Sequence, residues 1–253
     1  MNPLVIAIDS STTATKAIVV DTEGKVLALG RQDIDLLSPQ QGFGEHDPRQ
    51  WWTSTHDAVA QALAQLTPSE KERIAAFGIT HQRESFAPFA ADGTPLRNGI
   101  LWLDIRAADQ VQRYGTPEIH ALSGRPADVT PGLYKMAWLK ENEPESLAKA
   151  DKVTTVSAYI AFCLTGKWVD SAACADSLSL SNIKTLEYDD GLLEIAGVWR
   201  EQMADLVKPG QVLGTLKKSI AEEWGIGEIP IVAGCGDGQA AGVGAAAVTP
   251  DVA

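Results

Sequence analysis

The chain has 253 residues, 45% of them hydrophobic and 21% charged, with a formal net charge of −12 at pH 7. These fractions sit near globular averages, which excludes disordered, collagenous and coiled-coil chains, and the length supplies a substantial core in one large or two small domains. The acidic balance repels phosphate backbones, so neither nucleic acid nor an anionic membrane is an expected partner. Cys163, Cys174 and Cys235 show neither disulfide-framework nor metal-ligand spacing, which fits a reducing cytosol. The N-terminus lacks the basic region of a signal peptide. The longest uncharged apolar run, Val153 to Gly166, falls short of the roughly 20 residues a membrane span needs. The expected localisation is cytoplasmic.

In chain order, Leu4 to Asp9 reads as a buried strand, and residues 16–34 read as two strands joined by a hairpin at Thr22-Glu23-Gly24. The opening is therefore three consecutive antiparallel strands. After Asp47-Pro48, apolar residues from Trp51 to Leu66 recur at spacings of three and four, which predicts a helix with Asp47 as N-cap and Pro48 at its first position. Arg73 to Thr80 is another buried strand, and a short strand at 85–90 leads to a turn at Asp92-Gly93. Helical patterns follow at Gly132 to Asn142 and at Val153 to Leu164, the second stopped by Gly166. A helix from about Ser219 to Trp224 leads into a strand over Glu228 to Gly234. Gln239 to Val248 forms a helix of small residues ended by Pro250. With almost no polar face, that last helix is expected to pack on both sides, which suggests a fragment of something longer. Strands with interspersed helices make an α/β protein.

Four segments carry possible chemistry, the first three at strand ends. Asp9 is followed by small and hydroxyl residues and then Lys16. Backbone N–H groups and hydroxyls of such a turn cradle phosphate oxygens, while an Asp holds Mg²⁺. The plainer reading is a solvated hairpin in which Asp9 bonds its own backbone. The segment is no Walker A loop, for GxxxxGK[ST] does not occur here. Gly236-Asp237-Gly238 lies at a strand-to-helix junction, where α/β sheets place ligands; Asp237 there is either a helix cap or a catalytic carboxylate. Thr80 to Ser85 includes Gln82, Arg83 and Glu84, donors and acceptors suited to the vicinal hydroxyls of a polyol, or else a surface turn with an incidental ion pair. Trp102, Asp104 and Arg106 offer an aromatic platform with charged neighbours, or a half-buried strand with Trp102 in the core. His81, without a second histidine at ligand spacing, reads as structural or as a side wall.

Taken in order, these segments resemble the FGGY family of carbohydrate kinases, whose fold is ribonuclease-H-like (actin-like ATPase), a mixed sheet with flanking helices. Asp9, Thr12, Thr13 and Lys16 match its D-x-G-T-[TS]-x-x-[RK] phosphate turn, with Ser11 where the family has glycine. Gly42, Glu45, Asp47, Pro48 and Trp52 resemble a second landmark. GITHQRES resembles the polyol-binding segment, particularly as glycerol-phosphorylating members carry it. LWLDIRA, Leu164-Thr165-Gly166 and GCGDGQAAGVG complete six motifs in the family's order. The resemblance covers essentially residues 1–253 and implies an N-terminal sugar-binding and catalytic lobe, family members being about twice as long.

What the resemblance implies is ATP-dependent phosphorylation of a sugar or polyol hydroxyl. Asp237 would be the catalytic base and Asp9 the Mg²⁺ ligand. Thr12, Thr13 and Lys16 would hold ATP phosphates, and Gln82, Arg83, Glu84, Trp102, Asp104 and Asp237 the acceptor. The partners implied are the acceptor, ATP and a C-terminal ATPase lobe, with a homo-oligomer left open. The Gln82-Arg83-Glu84 set leans towards a polyol, since xylulose-phosphorylating members have Met and His in place of Arg83 and Glu84. The competing reading is a non-catalytic sugar-binding or regulatory module. A Rossmann dehydrogenase is disfavoured, because no GxGxxG follows the first strand.

Overall fold

A computed structural model describes residues 2–249. Its centre is a six-stranded mixed sheet made of β1 (Leu4–Ser10), β2 (Ala14–Asp21), β3 (Val26–Asp33), β4 (Ile74–His81), β5 (Val212–Thr215) and β6 (Pro230–Val232), in the order β5-β6-β4-β1-β2-β3. The first three strands form the expected antiparallel meander, while β4 and β6 run parallel to β1. In β1 the residues alternate: Leu4, Ile6 and Ile8 are buried on one face, while Val5 and Ala7 are partly exposed on the other.

Helices α1 (Arg49–Leu63), α3 (Val156–Thr165) and α4 (Lys218–Trp224) cover the buried face. Their core includes Trp51, Phe77, Phe89, Tyr159 and Trp224, with Phe77 stacked on Trp224 at 6.2 Å. A second core gathers around α2 (Gly132–Asn142), with Phe86, Leu133, Leu178 and Leu193. Between the cores runs a small antiparallel sheet of Glu45–His46, Gly99–Ile100, Phe86–Phe89 and Lys152–Thr155. The final helix is α5 (Asp237–Gly244).

The structure corrects several boundaries. Val153 to Thr155 is not helical: these β-branched residues pair with Phe86–Phe89, and Thr155 then caps α3 by accepting the Ala158 N–H at 3.2 Å. Helix α1 begins one residue later than expected. Pro48 takes the cap position, while Asp47 accepts the Arg49 N–H at 3.0 Å. Asp237 is the first residue of α5 rather than its cap, which is Gly236. Helix α5 is largely exposed, Val243 at 65%, instead of being packed on both sides. Helix α5 also ends at Gly244, short of the expected Val248, and Pro250 lies outside the described residues. All three cysteines are free.

A close approach and two buried histidines shape the region near the strand ends. A Cβ on Gly234, just after β6, would stand 2.0 Å from the Ile79 carbonyl oxygen of β4. His46 and His81 are both fully buried, and burial pulls each imidazole down to about 4. His46 Nδ1 accepts from Trp51 Nε1 at 3.0 Å, so the proton of the neutral ring sits on Nε2.

Two outcomes are expected. Gly234→Ala should force β6 away from β4 and destabilise the protein by about 2–3 kcal/mol in urea unfolding; an unchanged midpoint would show that the strands yield freely. His81 has a folded pKa below its unfolded value, so its contribution is complete above pH 6.5 and is lost as pH falls through about 4. The stability gap between wild type and His81→Gln should therefore shrink by up to about 3 kcal/mol from pH 7 to pH 4, and a pH-independent gap would contradict neutral burial.

Candidate functional site

The C-terminal ends of the parallel strands β1, β4 and β6 meet at one edge of the sheet. Each carries one of the segments singled out in the sequence. Backbone bonds stitch them together: Gln82 N–H donates to the Ser10 carbonyl at 2.9 Å, and His81 forms a parallel bridge with Gly236. Thr80 Oγ1 donates to the Cys235 carbonyl at 2.7 Å. Asp9, Gln82-Arg83-Glu84 and Asp237 are thereby neighbours, although 228 positions separate the first from the last (237 − 9).

Asp9 stands opposite Lys16 across the β1–β2 hairpin and opposite Thr80 on β4. Its Oδ1 is buried with no hydrogen-bond partner. Burial pushes the carboxyl above the usual range, Lys16 opposes the rise, and Asp237 adds to it. An oxygen held without a partner beside a polar turn suits a hard divalent cation, which commonly takes one or two protein carboxylates and completes its shell with water and phosphate oxygens. Among the described residues no cluster of three potential metal ligands occurs. In the turn, Ser11 donates both its N–H (3.0 Å) and its hydroxyl (2.8 Å) to the Ala14 carbonyl. Serine at the family's glycine position thus closes the turn, without positive φ. Thr13 and Lys16 are exposed beside it.

Thr12 is tied to the opposite wall. Its hydroxyl accepts from Trp102 Nε1 at 2.9 Å and donates to Gln82 Oε1 at 3.3 Å. Gln82, expected to contact the acceptor, is buried: its amide also receives the Ser85 hydroxyl at 3.2 Å and donates to the Ser11 carbonyl at 3.4 Å. It braces the turn instead of facing the cleft. Asp104 departs from expectation in the same way. It is fully buried, accepting from Gly44 N–H at 2.7 Å and from Arg106 at 2.7–2.9 Å. Arg106 in turn stacks 3.9 Å over Phe43 and pairs with Glu45 at 2.7 Å. Trp102 remains 41% exposed at the rim.

Arg83 and Glu84 face the site with Asp237. The stem of Arg83 lies against Gly236, where a Cβ would come within 2.5 Å of Cδ. Its Nη2 reaches both carboxylate oxygens of Asp176, at 3.0 and 2.9 Å. Glu84 takes φ +60, a strained left-handed conformation for a non-glycine residue. The Ser177 hydroxyl accepts its N–H at 3.1 Å, and Arg125 grips its carboxylate. Burial raises the Glu84 carboxyl, against the pull of Arg125, Arg83 and Lys135, while Asp237 adds to the rise. Asp237 itself is exposed, with Oδ1 accepting the Gly238 N–H at 2.8 Å.

Sequence reasoning missed Arg125, Asp176, Ser177 and Lys135. The Nζ of Lys135 is buried under the rim, donating to the carbonyls of Leu101 (2.7 Å), Trp102 (3.1 Å) and Thr130 (2.7 Å). Only its place inside an apolar helical pattern marked it as unusual. Nothing in spacing marked the other three.

The N-terminal domain of the FGGY family of carbohydrate kinases matches residues 4–244. A glycerol kinase of Thermococcus onnurineus is 34% identical over 256 residues, an alignment covering 98% of this chain and 50% of the relative. Among solved structures, a ligand-bound xylulose kinase from Lactobacillus acidophilus superposes with a TM-score of 0.90 at 29% identity, covering 97% of this chain and 50% of that one. A gluconate kinase from the same organism gives 0.88 at 29% identity, covering 94% and 49%. The chain thus spans about half the length of the relatives it matches. No helix among the described residues is long and apolar enough to cross a membrane. By sequence across nearly its whole length and by its actin-like ATPase fold, the chain belongs to the FGGY family of carbohydrate kinases.

Proposed function

We propose that the chain is the acceptor-binding N-terminal lobe of an ATP-dependent carbohydrate kinase and carries the groups that deprotonate and orient the hydroxyl to be phosphorylated. The observation behind this reading is the convergence of Asp9, Arg83-Glu84 and Asp237 at one sheet edge, close enough for Asp237 to influence the acidity of both Asp9 and Glu84.

Asp237 accepts the acceptor's hydroxyl proton as the oxygen attacks the γ-phosphorus of ATP. One of its oxygens is engaged by the Gly238 N–H, and the other is left for that proton. Arg83 and Glu84 hold neighbouring hydroxyls as donor and acceptor, and the exposed Trp102 ring flanks them. The exposed Thr13 and Lys16 meet phosphate oxygens, and Thr12 fixes the turn's distance from the acceptor wall. Mg²⁺ held at Asp9 would neutralise phosphate charge. The start of α5 adds N–H groups at the anion's side. Phosphoryl transfer demands positioning and charge neutralisation more than covalent chemistry, and this inventory matches that demand. A second ATPase lobe completes the nucleotide site in this reading, and its closure excludes water that would otherwise hydrolyse ATP.

Calorimetric titration of the chain with polyols, ketoses and Mg-ATP should show binding of one acceptor and little ATP binding. Tight ATP binding would instead indicate a self-contained nucleotide site. Binding of an acceptor without any turnover once the second lobe is supplied would favour a sugar-binding module over an enzyme. In the two-lobed kinase, Asp237→Asn should lower turnover by at least about 10²-fold with acceptor affinity nearly intact. Equal losses of both would assign Asp237 to the acceptor wall.

A further inference from the structure

Two of the groups missed in the sequence decide what kind of acceptor the wall admits. Asp176 and Ser177 lie on one short turn, 93 positions beyond Arg83 and Glu84, and hold both residues: Asp176 takes the Arg83 guanidinium, and Ser177 takes the Glu84 N–H. Arg125 closes the remaining charge on Glu84. Within this four-residue group the two guanidinium and two carboxylate charges cancel in crossed pairs. Of the adjacent charges, the Lys135 ammonium is occupied by three carbonyls, and Asp237 brings a further negative charge. Both guanidinium groups of the wall are thus paired with carboxylates. Arg83 Nη1 and Glu84 Oε2 nevertheless have no hydrogen-bond partner among the described residues. Guanidinium N–H donors and one carboxylate oxygen therefore remain for a vicinal pair of neutral hydroxyls.

We infer that Asp176 is a specificity-determining residue, which restricts the site to uncharged polyols or ketoses and rejects sugar acids. This rests on the acceptor-site reading above and deepens it. An aldonate carboxylate entering the wall meets an Arg83 charge already offset by Asp176, both of whose oxygens share Nη2. It finds no uncompensated guanidinium charge there and is repelled by Asp237. With Asp176 neutralised, Arg83 regains its fork for a planar anion. The Asp176 side chain keeps 44% exposure, so asparagine there is compatible with the fold.

The test is calorimetric titration of wild type, Asp176→Asn and Asp176→Glu with glycerol, xylitol, D-xylulose and D-gluconate. Wild type should bind one of the uncharged compounds at least about tenfold more tightly than gluconate. Asp176→Asn should close that gap through tighter gluconate binding, and Asp176→Glu, which restores the charge, should reopen it. Wild-type binding of gluconate as tight as that of the best neutral compound, or an unchanged ratio in Asp176→Asn, overturns the inference and leaves the acceptor site standing. Failure of wild type to bind any of the four overturns the acceptor-site reading itself, and the inference with it.

Discussion

Everything at this site depends on three parallel strand ends being held side by side. Adjacent strands lie about 4.8 Å apart, so residues ending β1, β4 and β6 are brought within reach of one ligand whatever their distance along the chain. The stitching is direct: a parallel bridge joins His81 to Gly236, and side-chain and backbone bonds join Thr80 to Cys235 and Gln82 to Ser10. Glycine at 234 and 236 is the condition for this closeness, since a methyl group at either would strike the Ile79 carbonyl or the Arg83 stem. Burial at this edge is the main reason that the Asp9 and Glu84 carboxyls are both shifted upward, and the neighbouring Asp237 adds to each rise.

Around that edge the protein invests much polar bonding in bracing groups that never face the cleft. Gln82, Asp104, Arg106, Glu45 and Lys135 are buried or nearly so, and together they set the turn after Asp9 against the segment that carries Trp102. A buried charge is costly without partners, and here each is matched: Lys135 by three carbonyls, Asp104 by a guanidinium and a backbone N–H. The Thr12 hydroxyl, gripped by Trp102 and Gln82 together, is the point where the two walls meet. Glu84 adds stored strain, a left-handed non-glycine residue held by Ser177 and Arg125 from distant segments.

The sequence by itself marked five of the six central strands, all but β5 (Val212–Thr215). The apolar run from Leu4 to Asp9 and the Thr22-Glu23-Gly24 turn are local signals, so the opening meander and the positions of Asp9, Arg83 and Asp237 at strand ends were legible. Local signals failed where tertiary pairing overrode them: Val153 to Thr155 continued an apolar helical pattern, yet β-branching and the waiting Phe86–Phe89 edge made it a strand. Only the tertiary structure decided which polar groups face the cleft. Gln82 and Asp104 carry the chemistry of acceptor ligands, but their partners, Thr12 and Gly44, are 70 and 60 positions away and turn them inward. Asp176 and Arg125 have no local mark at all. Their role comes from lying, after folding, within hydrogen-bond reach of Arg83 and Glu84, and a hydrogen bond is decided by distance in space, which sequence spacing does not encode.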